Sequence, residues 1–203
     1  MKKLSKIDES LWSDLQNKSI GKGIRKEDES NLEPIKEFIE RHQLPKGKYK
    51  INSDFSLDIY QNIMIKPIDI PNKSEPKLPF KFGKIDGTIW MCDLNLVTLE
   101  NSPREVTGDF VIYENNFRDF TGGPQKVGGN FSANVNYNLE SLDGSPQEVG
   151  GNYSILSCRY IKDIKGISPE IGGNLELTNK PFLVFSDNEF RKYSNIKGKI
   201  IRK

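Results

Sequence analysis

A phrase of the form Pro-x-x-Val/Ile-x-Gly recurs with its proline at positions 103, 124 and 146, and one residue shorter as Pro-x-Ile-x-Gly at 169, and this spacing restricts the fold more than any other feature of the chain. The copies read Ser102-Pro-Arg-Glu-Val-Thr-Gly-Asp-Phe110, Gly123-Pro-Gln-Lys-Val-Gly-Gly-Asn-Phe131, Ser145-Pro-Gln-Glu-Val-Gly-Gly-Asn-Tyr153 and Ser168-Pro-Glu-Ile-Gly-Gly-Asn-Leu175. A fifth, Phe82-Gly-Lys-Ile-Asp-Gly-Thr-Ile89, lacks the proline, so equivalent glycines fall at 87, 108, 129, 151 and 173 and the array spans about 81–180. A unit of 21–23 residues cannot bury an apolar side alone. Stacking such units buries a continuous core, and that makes the chain a solenoid.

After each glycine, apolar residues alternate with others, which predicts one short strand per repeat near 88–92, 109–113, 130–134, 152–156 and 174–178, all parallel. Period two makes Ile89, Phe110, Phe131, Tyr153 and Leu175 one inward column and Met91, Ile112, Ala133, Ile155 and Leu177 a second. Three more apolar columns follow: Leu96, Phe117, Leu139 and Ile161; Leu99, Phe120, Leu142 and Ile164; Val106, Val127, Val149 and Ile171. The glycine pair is read as supplying positive φ for the turn into the strand, and proline as fixing φ on the return side. The fold class expected is an α/β-type, leucine-rich-repeat-like solenoid of about five repeats with parallel strands, a helical N-terminal cap and a short C-terminal cap.

The segment Leu139-Glu-Ser-Leu-Asp-Gly-Ser-Pro-Gln-Glu-Val-Gly-Gly-Asn-Tyr153 resembles the degenerate leucine-rich repeats encoded by tailed bacteriophages. So does the lead-in Tyr49-Lys-Ile-Asn-Ser-Asp-Phe-Ser-Leu-Asp-Ile59 followed by Leu78-Pro-Phe-Lys-Phe-Gly-Lys-Ile-Asp-Gly87, and the resemblance covers roughly 45–180. It implies a phage origin and no shared catalytic activity. The family's usual Cys-Ser-x-Asn-x-Leu after the strand is here Tyr113-Glu-Asn-Asn-Phe117 in one repeat and Asn134-Val-Asn-Tyr-Asn-Leu139 in another. The segment Ser5-Lys-Ile-Asp-Glu-Ser-Leu-Trp-Ser-Asp-Leu-Gln16 is also similar to amino-terminal segments of phage proteins.

Outside the array, Leu4, Ile7, Leu11 and Leu15 form a helical stripe with Trp12 beside it, and Gly21, Gly23 and the charged run from Arg25 to Glu29 set it apart. Residues 1–30 therefore read as a tethered peptide that either docks on a partner or folds back on the solenoid. Leu32, Ile35, Phe38 and Ile39 predict a cap helix at about 32–42, started by Ser30 or Asn31 with Pro34 in its first turn, so that 31–80 is cap and lead-in. Residues 181–203 read as a C-terminal cap, with a short helix begun by Asp187, and a basic tail.

The formal net charge is only +2, but it is unevenly placed: residues 81–179 carry eight Lys and Arg against thirteen Asp and Glu, and 180–203 carry seven against two. That basic end is the basis for a minor nucleic-acid reading, to be dropped if DNA affinity did not fall as salt rose. Polar residues at 5, 6, 8, 9 and 10 stand where a signal peptide would be apolar, no run approaches the roughly 20 apolar residues of a membrane span, and two cysteines are too few for a disulfide framework. A host-cytoplasmic or virion setting is expected.

Catalysis is not expected. The single histidine, His42, lies outside the repeats, Cys92 and Cys158 have no ligand-spaced companions, and the carboxylates show no isolated acid/base pair. No cofactor or metal is expected either, and Gly-Gly-Asn is assigned to architecture because it recurs at the same place in three successive repeats. A protein partner is expected on the outward strand face, where Trp90, Val111 and Tyr113 interrupt a polar surface and Leu156 is a further apolar position; Leu11, Trp12 and Leu15 complete the candidate contacts. Three roles stay open: a virion component, a binder of a host factor, or an inhibitor of a host defence protein. The alternative for Trp90 is burial beneath the amino-terminal segment or the 60–80 loop.

Overall fold

The computed structural model describes residues 26–182 and 184–203. The chain divides after Leu44 into two compact units. In the first, an α-helix, Lys26–Arg41 (α1), buries Leu32, Ile35, Phe38 and Ile39 at the predicted spacing. It begins earlier than the sequence suggests, because nothing in Lys-Glu-Asp-Glu stops a helix, and Pro34 lies inside it, where the missing N–H removes one helical bond.

The second unit is a parallel β-solenoid of about six turns, built from two sheets, a first that contains Glu105–Val106 and a second that contains Ile89–Trp90. Sequence alternation places the strands of one sheet correctly: Ile89–Trp90, Phe110–Val111, Phe131–Ser132, Tyr153–Ile155 and Leu175–Leu177, in parallel register with Ile89 opposite Phe110, Phe110 opposite Phe131, Phe131 opposite Tyr153 and Tyr153 opposite Leu175. One strand per repeat is corrected to two. Glu105–Val106, Lys126–Val127, Glu148–Val149 and Glu170–Ile171 pair in parallel to form the other sheet. These strands are only two residues long, too short for alternation to reveal.

The ladder also outruns the 81–180 array. Leu57–Ile59 and Ile63–Met64 precede it, and Asn195–Ile196 and Ile200–Arg202 extend it, each pairing in parallel with the neighbouring turn. Among the described residues only Tyr49–Ile51 runs antiparallel, in a hairpin with Leu57–Ile59. The helix Asp187–Tyr193 (α2) is an insertion before the last turn, and its cap is Ser186 rather than Asp187: Ser186 Oγ accepts from the Glu189 amide while the Glu189 carboxylate accepts from the Ser186 amide.

All five predicted core columns are buried. Phe131 stacks between Phe110 and Tyr153, with ring centroids 5.8 and 4.9 Å away, and meets Phe120 edge-on at 5.1 Å. Tyr153 can stand in an otherwise apolar column because its hydroxyl lies 2.9 Å from Ser145 Oγ. The equivalent Ser102 Oγ is buried without a partner, its column neighbour being Phe110, which has no hydroxyl.

The glycine pairs work differently from the expectation. Positive φ belongs to Gly87 and to Gly122, Gly144 and Gly166 at another corner; Gly128, Gly129, Gly150, Gly151, Gly172 and Gly173 do not need it. They turn the corner between the sheets, stacked so closely that a Cβ on Gly150 would collide with the Gly128 carbonyl oxygen and one on Gly173 would lie 2.7 Å from Gly151 C. Backbone bonds such as Gly129 N–H to Gly108 O at 2.9 Å and Gly151 N–H to Gly129 O at 2.8 Å fill that space instead.

Two side-chain ladders brace the turns. At the first position after the glycine, each side-chain oxygen accepts the amide of the next turn: Asn62 from Thr88, Thr88 from Asp109, Asp109 from Asn130, Asn130 from Asn152, Asn152 from Asn174 and Asn174 from Lys199, at 2.7–3.0 Å. Inside the core, Asn115 donates to the Met91 carbonyl at 2.7 Å, and Asn136 accepts from the Asn115 amide at 2.8 Å and donates to Ile112 and Ala133. Cys158 holds the same place one turn on, its thiol 3.2 Å from the Ala133 carbonyl.

Four consecutive strands of the second sheet leave through one left-handed residue each: Asp93, Glu114, Val135 and Ser157, with φ of 54–60°. Val135 is the strained member, since a β-branched side chain disfavours that region. Replacing it with Asn, which occupies positive φ at positions 95 and 101 here, is expected to stabilise the protein by about 1 kcal/mol, read as a higher urea midpoint.

Candidate functional site

Alternation sends the residues between the core columns outward on the second sheet. Register aligns Met64 with Trp90, Trp90 with Val111, Val111 with Ser132, Ser132 with Ser154 and Ser154 with Glu176. Three apolar side chains thus lie side by side on strands spaced about 4.8 Å apart, and the row then becomes polar. Met64 is 54% exposed, Trp90 and Val111 are half-buried, and Tyr113, two residues beyond Val111, is 40% exposed.

The structure brings together three of the sequence-derived contacts, Trp90, Val111 and Tyr113, and adds Met64. Period two in Asn62-Ile-Met-Ile65 was the signal for Met64, hidden because this turn lacks the glycine phrase. Leu156 is half-buried but sits beyond Asn134, in a polar stretch where Asn134 Nδ2 donates to Ser132 Oγ at 3.0 Å and Ser154 Oγ donates to Asn134 Oδ1 at 2.9 Å. Leu11, Trp12 and Leu15 lie outside the described residues. Part of the loop proposed to cover Trp90 runs elsewhere: Pro76 accepts from the Val97 amide and Leu78 from Asn101 Nδ2, which holds this stretch along the 97–101 edge.

Carboxylates flank the apolar row. Asp93 and Glu114 are exposed, and the Asp93 amide donates to the Tyr113 carbonyl at 3.0 Å. The Cys92 thiol is pushed above its ordinary value mainly by burial, with a smaller contribution from the Asp93 charge nearby.

The first sheet presents a different outer face. Lys84 pairs with Glu105 at 2.9 Å and Lys126 with Glu148 at 2.8 Å, and each glutamate raises its lysine's pKa through the hydrogen bond it accepts. Cations and anions there satisfy one another across strands. At the basic end, Arg191 donates to the carbonyls of Ile196 and Gly198, Arg202 pairs with Asp187, and Lys203 lies 3.3 Å from Glu176. A shallow depression of about 340 Å³ lined by residues 191–196 lies beside them, and its arginine is committed to those carbonyls.

Among the described residues no group of three or more His, Cys, Asp or Glu is disposed to hold a metal ion, and no helix is long and apolar enough to cross a membrane. Fold and surface together define a repeat solenoid of the leucine-rich-repeat-like class with an apolar row, Met64–Trp90–Val111, at one end of the second sheet's outer face and polar residues on the next three strands. Comparison with family models, curated proteins and solved structures gave no match in any of the three.

Proposed function

We propose that this chain is a non-catalytic recognition module of a bacteriophage that binds a protein partner through the outer face of the second sheet, centred on Trp90, Val111 and Tyr113 and joined by Met64. The observation that carries this reading is the unbroken apolar row across three paired strands, two of whose neighbours on that face, Ser132 and Ser154, are hydroxyls. Trp and Tyr dominate interface hot spots because they bring large area at little entropic cost. The resemblance of residues 139–153 to phage-encoded repeats supports the phage origin.

The partner is a structural protein of the particle or a host protein, a defence protein included, and location separates them: a virion component is found by mass spectrometry in purified particles, a host-directed protein only in infected cells. The binding surface itself is tested by Trp90→Ala. Retention of the partner from infected-cell extract is expected to weaken by about 2 kcal/mol or more in affinity, with a much smaller change in the unfolding midpoint. Equal retention by both proteins would remove this face from the proposal.

A further inference from the structure

We infer that the segment seated on the Met64–Trp90–Val111 row is cationic, a lysine- or arginine-bearing stretch of the partner. This rests on the preceding reading of the face and names the chemistry of its occupant.

The case comes from where charge is left over. Apart from Asp143, exposed on a later turn, the carboxylates elsewhere on the turns have partners: Glu105 has Lys84, Glu148 has Lys126, Glu140 has Lys162 and Glu176 has Lys203, while Asp119 and Asp163 accept the amides of Thr121 and Lys165. Asp109 is held by the Asn130 amide and its Nδ2. At Asp93 and Glu114, by contrast, no cation or hydrogen-bond donor among the described residues reaches the carboxylate, although both are exposed. Both occupy the left-handed position that ends a strand, and in the next two turns that column is neutral, Val135 and Ser157. Unpaired negative charge and the apolar row therefore coincide at the same turns, one at the end of the strands that carry the other.

A ligand that covers Trp90 and Tyr113 dehydrates these carboxylates, which favours a partner bringing positive charge and disfavours one bringing negative charge. Trp is also the best side-chain face for an ammonium or guanidinium group, so the same cation can use both features. Lys66, beside Met64 in the chain, is the one cation adjoining the row in sequence, and it leaves the two carboxylates in excess.

The experiment uses the full chain carrying Trp12→Phe, which leaves Trp90 as the only tryptophan, titrated with octa-arginine, octa-lysine and octa-glutamate while Trp90 emission is followed. The basic peptides are expected to shift the emission, to lose at least fivefold in affinity between 50 and 500 mM salt as screening grows, and to lose at least fivefold with Asp93→Asn/Glu114→Gln. Octa-glutamate is expected to leave the emission unchanged. Asn suits the left-handed backbone at 93, and a thermal melt of the double variant confirms the fold. Octa-glutamate binding as tightly as octa-arginine, no emission change with either basic peptide, or unchanged binding of the basic peptides by the double variant would each overturn the inference. Partner retention lost with Trp90→Ala but kept with the double variant would overturn this inference alone and leave the recognition face standing.

Discussion

Phe131→Ala is expected to cost about 3–5 kcal/mol, the range for truncating a buried aromatic ring, measured as a fall in the urea midpoint with little change in slope. The ring stacks on both neighbouring turns and meets Phe120 edge-on, so its loss opens a cavity that three other aromatic side chains line. In a solenoid each turn is stabilised by its neighbours, and a gap in the middle weakens the coupling between the two halves. Phe131→Leu, which refills much of the volume, is expected to cost far less. A loss below about 1 kcal/mol for the alanine variant would mean that the column does not carry the core.

Asn136→Ala is expected to cost about 3 kcal/mol or more, although the side chain is small and polar. Asn136 is buried, accepts the Asn115 amide and donates to the carbonyls of Ile112 and Ala133. Removing it strands the Asn115 amide and the Ile112 carbonyl away from water, at about 1–3 kcal/mol for each buried group left unsatisfied, while the Ala133 carbonyl keeps the Cys158 thiol. Asn136→Cys supplies the contrast: Cys158 already fills the equivalent place in the next turn and reaches the Ala133 carbonyl. The cysteine variant is therefore expected to lose distinctly less than the alanine one. Equal losses for both would show that volume, not hydrogen bonding, sets the cost.

These two positions differ in how far the sequence exposed them. Phe131 was legible, because a recurring glycine phrase aligns the repeats and period two then sorts inward from outward. Asn136 was legible only as a departure from the family's Cys-Ser-x-Asn-x-Leu spacing, since an asparagine reads as a loop residue until backbone groups are seen to need it. Val106, Val127, Val149 and Ile171 were assigned to the core without being recognised as strands of the first sheet: one inward residue per strand gives no alternation to count. Met64 was missed because its turn joins the ladder without the motif.

Repeat length, core columns, parallel stacking and the outward positions of Trp90, Val111 and Tyr113 followed from the sequence alone, because periodicity is a local property that each copy restates. Contact between turns was decided by tertiary structure. The glycine pairs had seemed to need unusual φ, yet what excludes a side chain is the backbone of the preceding turn, 22 residues away for Gly150 and Gly128. The same holds for the asparagine ladders and for the apolar row, which exists only where register sets Met64, Trp90 and Val111 side by side. No window along the chain contains both partners of such a contact, so only the folded stack reveals it.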